Sequence, residues 1–169
     1  MTSLFTHPPY AEDQQHAHAI LYLHVMRASA MSFTFLSLFR LPIGLARGRY
    51  NKTPVDMRTV FARTLRTSGR SLLLGTVVGA AATWGRMRGR DDVEWQDRSW
   101  RILENEGEVK TDWVTIGGAG AGAVACLVAA RRGAIPSSIG IAALGGVGLG
   151  TSVGVPFMIA TFAMGRRPA

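Results

Sequence analysis

The chain has 169 residues, 47% of them hydrophobic and only 18% charged, with 20 glycines and a net charge of +8 from 19 Lys and Arg against 11 Asp and Glu. Ordinary globular domains carry about 25% charged residues, so this balance argues against a soluble domain and for a membrane protein. The single cysteine, Cys126, excludes an internal disulfide framework and any Cys-based metal cluster or redox pair made by one chain.

The amino-terminal tail, residues 1–18, contains no Lys or Arg and only Glu12 and Asp13. Neither a secretory signal nor an Arg-rich presequence is expected there, because both need basic residues, so any targeting is internal. Residues 19–39 are broken only by His24 and Arg27, and about 20 apolar residues suffice to cross a bilayer core, so this is the first transmembrane helix. An arginine at that depth costs roughly 2.5–3.5 kcal/mol. Arg27 is therefore expected to snorkel or to find a carboxylate or carbonyl partner, in this chain or another.

Residues 40–70 form a basic connection in which Asp56 is the only acid among eight Lys and Arg. Within it, Thr53 and Pro54 signal a helix start, and Val55, Val60, Phe61 and Leu65 share a face away from Arg58, Arg63 and Arg66. That pattern reads as an amphipathic helix at the interface, or else as the beginning of a longer second span. The second transmembrane helix, residues 71–87, is short, with Arg70 and Arg86 placed to snorkel and Trp84 suited to the headgroup belt.

Residues 88–112 make an acidic, Trp-containing connection with its own short helix, opened by Asp92, carrying Trp95 and Trp100 and stopping at Gly107. The two tryptophans serve either as surface anchors or as docking residues for a neighbouring protein. Residues 113–130 are an uncharged third transmembrane helix. The fourth, residues 135–164, is longer than one span needs and takes up the surplus by tilt, by an interfacial start near Pro136 or by a bend near Pro156, before the short tail 165–169. The fold class expected is thus an all-α membrane protein of about four transmembrane helices, plus an amphipathic helix and a structured acidic loop.

Four spans distribute charge unevenly, with the first and third connections summing to +9 and the opposite face to −2. The positive-inside rule then puts both termini on one side and the basic first connection on the other, where Arg63 and Arg66 meet anionic lipid. Nucleic acid is not expected as a partner, since few aromatics interleave with the basic residues.

Glycines recur at four-residue spacing: Gly75 with Gly79, Gly118 with Gly122, and Gly146 with Gly150 and Gly154. Residues four apart share a helix face, and small faces let helices approach closely in lipid, so these are read as helix-packing positions. A pore or substrate path needs ionisable groups within the spans, and His24 and Arg27 are the only ones. The glycine runs lack the preceding strand and the Lys-Ser/Thr ending of a phosphate loop. The acidic connection has no His or Cys beside its carboxylates. No catalytic, cofactor-binding or metal site is expected, and an enzyme is the lesser reading.

The run from Asp92-Val-Glu-Trp through Gly107, followed by Asp112-Trp113 and a glycine-alanine span, resembles the NUXM type of small accessory subunit in the membrane arm of fungal mitochondrial respiratory complex I. The resemblance covers about residues 70–165. It implies a noncatalytic protein of the mitochondrial inner membrane, without cofactors, that packs against core and accessory subunits of complex I and phospholipids including cardiolipin. The residues themselves make Arg27, Trp95, Trp100, Arg63 and Arg66 the expected contacts to partners or lipid; the resemblance implies that the basic connection faces the matrix and both termini the intermembrane space. The four-span, glycine-repeat layout is also similar to the Tim17/Tim22/Tim23 group, which implies the alternative of a protein-translocase component.

Overall fold

In the computed structural model, residues 2–52 and 54–164 are described and all regular elements among them are helical. The carboxyl tail, 165–169, and Thr53 at the expected helix start lie outside the described residues.

Two prolines set where the apolar segments break. Helix α1 (Ala17–Leu38) passes through Phe39 into α2 (Arg40–Tyr50), and Pro42 lacks the N–H that would reach the Leu38 carbonyl. The last apolar segment divides into α6 (Ile139–Thr151) and α7 (Gly154–Ala163). The expected bend near Pro156 appears one turn earlier, because Pro156 cannot donate to Ser152, whose carbonyl instead takes the Val155 N–H at 3.3 Å.

Residues 55–65 do not make a separate amphipathic helix. They open α3 (Met57–Met87), a single 31-residue helix that absorbs the second expected span. Its N-cap is Asp56, which accepts from the amides of Arg58 (3.0 Å) and Thr59 (3.2 Å) and from the Thr59 hydroxyl. The Thr59 hydroxyl, then the Arg58 amide, hold this carboxyl below the usual aspartate range.

The acidic connection forms α4 (Asp92–Glu104), but the helix stops at Asn105 and not at Gly107. The Asn105 side chain accepts from the amides of Gly107 (3.0 Å) and Glu108 (3.2 Å) and so starts α5 (Glu106–Arg131). The third expected span is the later part of this helix, and Glu106, Glu108 and Asp112 move from the loop onto its first turns.

Three stretches are long and apolar enough to cross a membrane: Ala17–Tyr50, Glu106–Arg131 and Ile139–Ala163. The expected count of about four is corrected to these three by length and composition, because Arg70, Arg86 and Arg88 close in on the apolar stretch of α3.

Packing runs α1 on α3, α3 on α6 and α6 on α5, with α7 also against α5. A Cβ on Gly75 would lie 2.7 Å from the Ala30 Cα and one on Gly79 2.7 Å from the Met26 Cα, so α1 sits directly on the α3 backbone. Gly118 and Gly122 meet the backbone of Gly150 and Gly146 just as closely, which presses α5 onto α6, while Gly154 lies under Met31 and Thr115. One core cluster, Ala17, Leu21, Met87 and Trp95, marks the end that holds α4. Another, Leu65, Cys126, Ile135 and Ala142, marks the opposite, basic end. The outer faces stay apolar, with Leu73, Leu74 and Val77 on α3, Val124 on α5 and Phe162 on α7 all exposed.

Candidate functional site: a buried charge cluster between α1 and α5

Arg27 lies on the inner face of α1 with its side chain 5% exposed. Its Nε is 2.7 Å from Asp112 Oδ1 and its Nη2 2.7 Å from Glu108 Oε2, so one guanidinium is shared between two carboxylates a helical turn apart on α5. Asp112, itself buried, also accepts from the backbone amide of Thr2 at 2.9 Å and from the Thr2 hydroxyl, which ties the amino-terminal segment into the cluster. His24, one turn before Arg27 on α1, places Nδ1 3.3 Å from Arg27 Nη2 and 3.9 Å from Glu108 Oε2. Thr115 closes the apolar side, donating to the Thr111 carbonyl at 2.7 Å and touching Met31 Sδ at 3.6 Å.

The partner expected for Arg27 is thus a pair of carboxylates in the same chain. Sequence reading left Glu108 and Asp112 among the loop acids. The signal that could have placed them is Asn105 with Glu108 three residues on, a helix-start pattern that puts Glu108 and Asp112 on one face. Chemically, the cluster is an ion-paired tie between α1 and α5. Among the described residues, no group of three His, Cys, Asp or Glu is placed to hold a metal ion.

The other singled-out residues are distributed around this tie. Trp95 is buried, its ring stacked on His18 at a centroid distance of 4.0 Å, and Trp100 donates from Nε1 to the Pro8 carbonyl at 2.9 Å. With His7 bonded to Glu104 at 2.6 Å, these contacts lace the amino-terminal segment over α4. Arg63 lines a cleft at the other end of the molecule, and Arg66 is exposed outside it. Below the charge cluster, a crevice of about 220 Å³ separates α1 from α5 and reaches Arg27, Thr76, Thr115 and Thr151.

A family model described as a protein of unknown function, DUF1757, matches residues 13–150, from just before α1 to the last turn of α6. The chain belongs to the DUF1757 family. The DUF1757 match holds Arg27, Glu108 and Asp112 together with every packing glycine except Gly154. No curated protein and no solved structure matches the chain.

Proposed function

We propose that this chain is a noncatalytic accessory subunit of the membrane arm of mitochondrial complex I, which supports assembly or stability of the proton-pumping core. The observation that carries the reading is how the charge at membrane depth is used. Arg27 is consumed by Glu108 and Asp112 as a tie between helices, while the outer faces of α3, α5 and α7 carry exposed leucine, valine and phenylalanine. Faces of that kind suit burial against lipid and other subunits. The resemblance of residues 70–165 to the NUXM type supplies the choice of complex.

In this reading α3 crosses as a fourth span beside the three apolar stretches, its flanking arginines snorkelling to the two surfaces. Both termini then lie in the intermembrane space and the Arg-rich α2–α3 region in the matrix, with phospholipids including cardiolipin around the bundle. On native gels of mitochondrial membranes the chain is expected to migrate with complex I. Recovery only as a free protein would sink the proposal.

The crevice beside Arg27 favours a second reading, a translocase-like component with a lateral path. Gly146 and Gly150 are closed against α5 and do not line that crevice. Depletion that leaves complex I intact and halts protein import would choose the second reading.

A further inference from the structure

The basic end of the molecule holds a second built feature, a cleft of about 660 Å³ between α2 and the first turns of α3. Arg40 and Arg47 of α2 face Arg63 of α3 across it, over a wall that includes Ile43 and Val60. Arg40 spans the two helices, donating to the Thr67 hydroxyl at 3.4 Å. None of the three guanidiniums has a carboxylate within ion-pair distance among the described residues. The one acid that lines the cleft, Asp56, is already engaged by the Arg58 and Thr59 amides and the Thr59 hydroxyl. Three cations thus converge on an open volume lined by a single carboxylate, which leaves the cleft with a net positive charge.

We propose that this cleft binds the phosphate headgroup of an anionic phospholipid, with Arg40, Arg47 and Arg63 as its ligands. Guanidinium groups hold phosphate oxygens through paired, charge-assisted hydrogen bonds. The source is a lipid because the cleft opens beside exposed apolar surface. Phe39 and Ile43 next to it are 53% and 64% exposed, and Leu36 on α1 and Leu73 on α3 continue that surface toward the bundle's outer faces, where acyl chains lie. The inference rests on the membrane reading above and adds to it a defined site for a lipid.

The test is native mass spectrometry of the full chain, released from phosphatidylcholine nanodiscs and titrated with cardiolipin. The wild-type chain retains cardiolipin. The triple variant R40Q/R47Q/R63Q weakens retention by roughly a hundredfold or more, since each guanidinium removed takes with it charge-assisted hydrogen bonds to the phosphate that a residue outside the cleft does not make. R49Q/R58Q/R66Q makes the same charge change outside the cleft and retains the lipid. Gly44→Trp is an independent check. Gly44 lines the cleft and a Cβ there meets nothing within 4 Å, so a large side chain fills the site with the charge unaltered and displaces the lipid.

Equal loss in the two triple variants would reduce the effect to diffuse attraction and overturn the proposal, as would undiminished retention in Gly44→Trp. Displacement by millimolar inorganic phosphate would assign the cleft to a soluble anion and overturn the lipid source. A chain that needs detergent yet retains no cardiolipin refutes this site alone, whereas one that stays soluble without detergent refutes the membrane reading.

Discussion

Arg27 shows how one residue decides what a buried helix face can tolerate. Its side chain is almost wholly buried, and the Coulomb gain offsets that cost because Asp112 and Glu108 each stand 2.7 Å away and Thr2 donates to Asp112 from the other side. Removing one partner strands the rest. Arg27→Met is expected to destabilise the fold by about 3–5 kcal/mol, because the two carboxylates then lose the guanidinium they share. The triple variant Arg27→Met/Glu108→Gln/Asp112→Asn removes charge on both sides and should recover most of that loss. Thermal unfolding in detergent micelles distinguishes the two, and equal destabilisation of single and triple variants would mean that the charges do not act as a pair.

Among the helices, small residues set the distances and the charges only close the array. The glycines of α5 and α6 bring the two backbones into direct contact, and those of α3 do the same for α1. Gly150→Leu is expected to cost about 1–3 kcal/mol or more, since its first carbon already overlaps the Gly118 carbonyl and backbone cannot give way as a side chain can. Gly117→Ala and Gly120→Ala meet nothing within 4 Å and should be neutral or mildly stabilising. Chemical unfolding of the three variants in micelles checks the contrast; a uniform response would show that glycine content and not glycine position matters. Spacing alone had singled out Gly118, Gly122, Gly146 and Gly150, because i, i+4 periodicity maps directly onto a helix face. Gly145 and Gly148, which take the α3 backbone at Leu65 and Ser68, were not picked out, because α6 is clasped on two sides and a single stripe describes only one.

Over the whole molecule, the two ends differ in charge and in construction. The α4 end is closed by His–carboxylate and Trp contacts between the amino-terminal segment and α4, while the other end gathers three arginines and one aspartate around a cleft. Whether α3 crosses the membrane decides whether these ends face opposite compartments. On a Cys126→Ser background, Asn51→Cys beside the cleft and Arg101→Cys on α4 are expected to react with an impermeant maleimide from opposite sides. Labelling of both from the same side would mean that α3 does not cross and that only three stretches span.

The sequence by itself determined the helical class, three of the apolar stretches and the glycine faces, because each follows from periodicity or composition along one helix. Helix ends were less legible, since Asn105 acts through side-chain bonds to particular amides and so moved the start of α5, whereas α3 beginning at Met57 is the longer second helix that the sequence had left open. Only the tertiary structure decided which acids answer Arg27, that Trp95 is packed inside the chain, and that Arg40, Arg47 and Arg63 surround one cavity. Those are pairings between residues far apart in the chain. Their geometry depends on how helices α1, α3, α5 and α6 stack, and no local pattern carries that information.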